Sequence, residues 1–264
     1  MAGIFEQIIL GVVQGIAEWL PISSEGMIFL VKNNFFPGTG FEETIKLALF
    51  LHLGTFFAAL IYLRKDVWRI IKTLFKYDPA KREDKKLLGF MIIATLISGI
   101  FGILLIKFIA SSVNILTGRI INAGIGLLLL VTGYLELKSR TDGVKKNKDL
   151  TRNDSIALGF AQGTAVLPGL SRSGLTVSAF LLRRFDKTTA LKLSFLLSLP
   201  IVLIGNILWN FKDLSLISEM AYGMVIAFVF GLLTIHGLIK LSKKINFGYF
   251  VGGFGILMIL ASLL

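Results

Sequence analysis

The chain contains no cysteine, which excludes a disulfide, a thiolate nucleophile, a cysteine-ligated zinc and an iron–sulfur cluster. Histidine occurs only twice, at positions 52 and 236, so there is no histidine-rich zinc site. Charged residues make up only 17% of the 264 residues, too few to coat a soluble domain of that length. Acid is scarcer than base, with 16 Asp and Glu against 28 Lys and Arg. The first apolar run has no basic stretch ahead of it and holds Glu6, so no cleavable signal peptide is expected. Alternating ten-residue segments are also missing, which argues against an outer-membrane barrel.

What is there is apolar: 55% of the residues are hydrophobic and the mean hydropathy is +0.79. These residues fall in runs of roughly 18 or more, the length that crosses about 30 Å of hydrocarbon. The expected class is an all-α polytopic membrane protein, a single integral-membrane domain over 1–264. Spanning helices are expected at 44–63, 87–110, 119–137, 190–211, 220–241 and 247–264.

Two segments, 3–31 and 155–182, are too polar for plain spans. The first carries Gln-Gly-Ile-Ala-Glu-Trp-Leu-Pro-Ile-Ser-Ser-Glu-Gly from Gln14. The second carries a near copy, Gln-Gly-Thr-Ala-Val-Leu-Pro-Gly-Leu-Ser-Arg-Ser-Gly, from Gln162 to Gly174. Each reads as two half-helices around a proline-containing turn, which is tolerated at membrane depth where protein or water lines it. For the first segment, one long helix kinked at Pro21 is the alternative.

The basic residues cluster in the loops, with nine Lys/Arg in 64–86, six in 138–152, four in 183–192 and three in 240–244. If each broken segment re-enters and leaves on its own side, all four groups face the cytoplasm. The net charge of +12 is then a topology signal with some attraction for anionic lipid, and nucleic acid is not an expected partner. This arrangement makes two inverted repeats, about 1–138 and 155–264, each a re-entrant helical hairpin plus three transmembrane helices. Such repeats place a ligand at their interface.

Gln14 and Glu18 are four apart and share one helix face. A carboxylate at membrane depth is costly unless paired or hydrated, so Glu18 reads as functional, while Glu6 reads as snorkelling to water. Ser23 and Ser24 stand where a half-helix begins. One can cap it, leaving the other for nucleophilic attack if Glu18 or Glu25 takes its proton. Glu25 could instead complement the helix dipole. Arg172, between Ser171 and Ser173 and before Gly174, offers a planar fork for phosphate at a helix N-terminus. His52 is a proton carrier within the first repeat, although a lone histidine in an apolar helix often only bonds a carbonyl. Acid and hydroxyl facing arginine and hydroxyl suit either phosphoryl chemistry on a lipid or transport of an anion.

At these residues the chain resembles the undecaprenyl-pyrophosphate phosphatase family, also called the bacitracin-resistance type, over essentially its whole length. Gln14, Glu18, Pro21, Ser23 and Ser24 meet the first family motif, and Pro168 to Gly174 meets the second. The resemblance implies hydrolysis of a polyisoprenyl diphosphate to the monophosphate, with Mg2+ or Ca2+, at the outer side of the cytoplasmic membrane. It implies that Glu18 binds metal or serves as base, Ser24 is the nucleophile and Arg172 holds the diphosphate. Gln14, Ser23, Ser171, Ser173 and Gly174 complete the expected substrate site. A homodimer is left open, as is a non-catalytic lipid-phosphate binder or flippase on the same scaffold. One position departs: the family's catalytic histidine is Met27 here, so Glu25 or His52 must carry the proton, or the chain is slow, differently selective or not a hydrolase.

Overall fold

At Pro21 the first apolar segment turns back on itself, whereas Pro200 sits inside the unbroken helix Lys187–Trp209. The computed structural model describes residues 3–36, 38, 40–75, 82–113, 118–138, 143–167, 170–210, 215–241, 249, 252–253, 255–257 and 259–260. Its helices are α1 (Ile4–Ala17), α2 (Ser24–Phe35), α3 (Phe41–Tyr62), α4 (Arg64–Phe75), α5 (Arg82–Val113), α6 (Gly118–Lys138), α7 (Arg152–Thr164), α8 (Arg172–Leu182), α9 (Lys187–Trp209) and α10 (Ser215–Leu241), with a short 3-10 turn at Asn147–Asp149.

Glu6 near the start of α1 forms an ion pair with Lys32 near the end of α2. A single kinked helix would hold two residues so spaced roughly 39 Å apart, so α1 and α2 form a hairpin. Glu6 does not snorkel to water, as its sequence position suggests. Both side chains are largely buried, and each neutralises the other where desolvation would otherwise be costly. The second hairpin is pinned the same way, by Asp154 in the first turn of α7 and Arg183 just after α8. Pro168 and Gly169, at its turn, lie outside the described residues.

Burial pushes the Asp154 carboxyl up, but the Thr151 hydroxyl and backbone N–H and the Arg183 guanidinium outweigh it and hold its pKa below the ordinary value. This stabilisation is present above the unfolded carboxylate pKa of about 3.9 and is lost as pH falls through the lower folded value. Asp154→Asn is expected to cost roughly 1–3 kcal/mol at neutral pH, the range for a group left unpaired. A lower Tm at pH 7 that converges on wild type in acid would bear this out; equal Tm at pH 7 would contradict it.

Among the described residues four helices are long and apolar enough to cross a membrane, through Glu42–Tyr62, Arg82–Lys107, Lys187–Trp209 and Met220–Lys240. The apolar part of α6, Gly126–Leu135, is shorter. The expected span at 247–264 lies largely outside the described residues. Two boundaries need correction. The expected basic loop at 64–86 is helical over α4, because Val67, Ile70, Ile71 and Leu74 recur at helical spacing beneath the charges. The connection expected at Ser111 and Ser112 is instead the last turn of α5, and Asn114 lies outside the described residues.

The first arm of each hairpin is seated on a long helix from the other half of the chain, α1 on α10 and α7 on α5. Small residues four apart make the approach close. Gly11 and Gly15 face α10, and a Cβ on Gly15 would stand 2.7 Å from Cβ of Phe230. Gly159 and Gly163 face α5, where a Cβ on Gly159 would stand 2.7 Å from Cβ of Ile97. Between them α3 packs on α9 and α10. The Trp19 indole, just past α1, donates to the Gly231 carbonyl of α10 at 2.9 Å and meets the Phe195 ring of α9 edge-on. Gly15→Leu should therefore separate α1 from α10. A Tm drop of several degrees in detergent is expected, whereas an unchanged Tm would show the contact to be dispensable.

Candidate active site

The first hairpin turn is built by capping. Glu18 follows α1, and its N–H still bonds the Gln14 carbonyl at 3.0 Å. Ser23 caps α2 by accepting from the Gly26 N–H at 3.3 Å, with a left-handed φ of 59° that a non-glycine residue adopts only at a cost. Because Ser23 does the capping, Ser24 can turn inward, where its hydroxyl donates to Glu18 Oε2 at 2.8 Å.

Glu18 is the centre of the cluster. One turn earlier on α1, Gln14 Nε2 donates to the same oxygen at 3.0 Å. From α3, His52 Nε2 stands 3.0 Å from Glu18 Oε2, 3.4 Å from Ser24 Oγ and 3.9 Å from Glu25 Oε1. His52 Nδ1 lies 2.6 Å from the Ala48 carbonyl. Only an N–H can bond that oxygen, so Nδ1 carries a proton and Nε2 is the atom presented to the cluster. From α8, Arg172 pairs with Glu18 Oε1 while its other arm donates to the Ser194 carbonyl at 3.4 Å. Gln14, Glu18, Ser24 and His52 are all buried.

The second motif fits against the first. Ser171 caps α8 by accepting from the Gly174 N–H at 3.2 Å, and Ser173 donates to the Leu20 carbonyl of the first turn at 2.8 Å. A Cβ on Gly174 would stand 2.9 Å from Cβ of Pro21, so a larger residue there would part the two turns. Arg172 is the first residue of α8 and sits where unpaired backbone N–H groups also favour an anion. The structure thus brings together Gln14, Glu18, Ser24, Glu25, His52 and Arg172, with Ser23, Ser171, Ser173 and Gly174 shaping the turns that hold them.

Three contributors escape a reading of the sequence. Thr55, one turn beyond His52, lies 3.4 Å from Gln14 Nε2 and donates to the His52 carbonyl. Ser194 supplies the carbonyl that holds Arg172, and its hydroxyl lies 2.6 Å from that of Thr176. Met27 packs in an apolar cluster with Ile22, Phe29 and Leu129, and His236 meets Tyr62 rather than this site.

Chemically, a buried carboxylate gathers a hydroxyl, an imidazole nitrogen and a guanidinium at one point between two hairpin turns. The fold is that of a multi-pass helical membrane protein, and a cluster of this kind could serve phosphoryl chemistry or hold an anion. More particularly, the chain belongs to the family described as Bacitracin resistance protein BacA, whose model matches residues 7–260. It is similar to the undecaprenyl-diphosphatase of Methanococcoides burtonii, 43% identical with all of both chains covered. It is also similar to that of Haloarcula marismortui, 34% identical over 100% of this chain and 99% of the other. The undecaprenyl-diphosphatase 2 of Halalkalibacterium halodurans is 34% identical over 94% and 91% of the two chains.

Proposed function

We propose that the chain hydrolyses undecaprenyl diphosphate, or a polyisoprenyl diphosphate of similar length, to the monophosphate and inorganic phosphate. The observation that carries this reading is Ser24 Oγ donating to a Glu18 carboxylate that is itself paired with Arg172. In a family whose relatives bear the name undecaprenyl-diphosphatase, this arrangement supplies a nucleophile, a base and a phosphate clamp.

A diphosphate carries more negative charge than one carboxylate, so it draws the Arg172 fork away from Glu18. Losing its cation makes Glu18 a better acceptor, which couples substrate arrival to activation of the base. Ser24 Oγ then attacks the terminal phosphorus as its proton passes to Glu18. The bond from that phosphorus to the bridging oxygen breaks, and the lipid monophosphate leaves with the electron pair. Glu18 passes that proton, by way of His52, to the departing lipid monophosphate. In the second half water attacks the phosphoserine phosphorus and gives its proton to the freed Glu18. The bond from phosphorus to Ser24 Oγ breaks, and Glu18 returns the proton to Oγ as phosphate leaves. Arg172 and the α8 N-terminus balance the charge throughout. His52, held by Ala48, moves the proton that Met27 cannot.

The family resemblance implies Mg2+ or Ca2+. Among the described residues no group of three or more His, Asp or Glu is arranged to hold a metal ion. Glu18 Oε2 accepts from Gln14 and Ser24, and Oε1 is paired with Arg172 until the substrate draws that fork away. The buried Gln14 Oε1 has no hydrogen-bond partner, and the Glu25 side chain is part-exposed. This donor set suits a cation carried mainly by substrate phosphates with one or two protein oxygens, the usual habit of Mg2+. Glu25 and Gln14 would touch it, and it would supply charge neutralisation and polarisation of the diphosphate.

We place the chain in the cytoplasmic membrane with this site facing outward, on the grouping of basic residues. The two similarly pinned hairpins, each seated on a helix of the other half, support the inverted-repeat reading. Reconstitution into vesicles separates hydrolysis from transport. Phosphate release that falls at least about 10²-fold in Glu18→Gln is expected for loss of a general base. Movement of labelled lipid phosphate between leaflets without phosphate release would overturn the reading in favour of a flippase.

A further inference from the structure

The strongest feature outside the catalytic cluster is α4. It combines a run of cations with an apolar face, and none of its residues is buried. Arg64, Lys65, Arg69 and Lys72 lie on it with a single acid, Asp66. The adjoining start of α5 adds Arg82, Lys85 and Lys86 against Glu83 and Asp84, and Arg69 lies 3.6 Å from Asp84. Trp68, one turn from both Arg64 and Lys72, is 67% exposed and Phe75 80%, and both border the apolar face that carries Val67, Ile70 and Ile71.

Beside that face runs a groove of about 370 Å³ between α4, α5 and α9. Its walls include Ile70, Ile71, Met91, Leu96, Leu199 and Pro200, and Thr95 is the one polar residue among them. The lining is otherwise apolar, and the Thr95 hydroxyl has no hydrogen-bond partner among the described residues. The wall on α5 runs from Leu88 to Leu96, roughly 12 Å of helix. It continues onto Leu96, Ile100 and Leu104, which face outward from α5 and are about 60% exposed. The groove is therefore open to hydrocarbon along the span and ends beneath a cluster of positive charge.

We propose that α4 and this groove form a site for one anionic glycerophospholipid. An acyl or alkyl chain fills the groove and the head lies against Lys65, Arg69 and Lys72. An amphipathic basic helix at a membrane surface binds by apolar area plus attraction to anionic heads; here the groove turns that general affinity into a defined seat. Charge complementarity selects the occupant. The balance of seven cations to three acids around the mouth favours a head with net negative charge over a zwitterion. None of the lining residues belongs to the Glu18–Arg172 cluster, so the proposal stands independently of the catalytic reading.

Trp68 is its own reporter. With Trp209 replaced by Phe and Trp19 buried, the purified full chain is placed in phosphatidylcholine vesicles. Increasing fractions of phosphatidylglycerol or phosphatidylcholine, each brominated on its chains, are then included. Brominated phosphatidylglycerol should reach half-maximal quenching at a mole fraction at least three-fold lower than brominated phosphatidylcholine. The combined change Lys65→Gln, Arg69→Gln and Lys72→Gln should abolish that preference. Met91→Phe, which narrows the groove and leaves the charges alone, should lower the quenching by phosphatidylglycerol, with far-UV circular dichroism reporting on the fold. Equal quenching by the two lipids, or a preference that survives the triple change, would overturn the proposal. So would displacement of the brominated lipid by unlabelled polyisoprenyl monophosphate but not by unlabelled phosphatidylglycerol, since the groove would then belong to the isoprenoid.

Discussion

Ser24→Ala should lower turnover of a polyisoprenyl diphosphate by at least about 10³-fold, as loss of a nucleophile does in enzymes whose residues act as a unit. The expectation rests on a division of labour between adjacent serines. Ser23 caps α2, accepting from Gly26 N–H, and Ser24 donates its proton towards Glu18. Removing the Ser24 hydroxyl takes away the attacking oxygen and leaves the cap in place, so Tm should move little. Ser23→Ala should do the reverse and cost about 1 kcal/mol of stability, the usual value of an N-cap. Rates from phosphate release and Tm from the same preparations test both halves. If Ser24→Ala kept a tenth of wild-type turnover, direct attack by water would replace the covalent route, with Ser24 only positioning Glu18.

His52→Gln should cost about 10²- to 10⁴-fold in kcat, the range for a positioned proton carrier. Glutamine can still reach Glu18 with a hydrogen bond but cannot carry a proton, so binding should change less than turnover. The structure gives a reason for this residue. The first motif supplies Met27 in an apolar cluster, while α3 brings an imidazole to 3.0 Å from Glu18 and 3.4 Å from Ser24. Position 27 offers no proton acceptor, and the imidazole from α3 reaches the same carboxylate. Adding Met27→His to His52→Gln should therefore restore at least about ten-fold of the lost rate, since position 27 is one turn from Ser24 on α2. Full activity in His52→Gln would leave Glu25, 3.9 Å from the imidazole, as the proton carrier.

Much of this site is legible in the sequence, for a physical reason. A polar motif inside an apolar segment is costly, and the second writing of the motif from Gln162 ties Arg172 to Glu18 across the chain. The hairpins follow from Pro21 and the serines that cap the returning helices. What could not be read depends on contacts between distant segments. Thr55 and Ser194 are ordinary hydroxyl residues of apolar helices until α3 and α9 are placed behind the turns. Glu6 and Lys32 meet only because α1 and α2 fold together. A signal was nevertheless present, since Glu6 precedes Gln14 by the same interval as Asp154 precedes Gln162, and both acids pin their hairpins. The α4 helix was hidden for a different reason: its cations invite a reading as loop, and its apolar spacing shows only when the charges are set aside.

The central claim is that Arg172 and the Glu18–Ser24 pair act on one diphosphate. Phosphate release from a C55 polyisoprenyl diphosphate, compared between wild type and Arg172→Ala in the same vesicles with Mg2+, tests it most directly. Metal-dependent release that falls at least about 10²-fold in the variant is the predicted result. No release from wild type above the Arg172→Ala background, across chain lengths and with either Mg2+ or Ca2+, would contradict it.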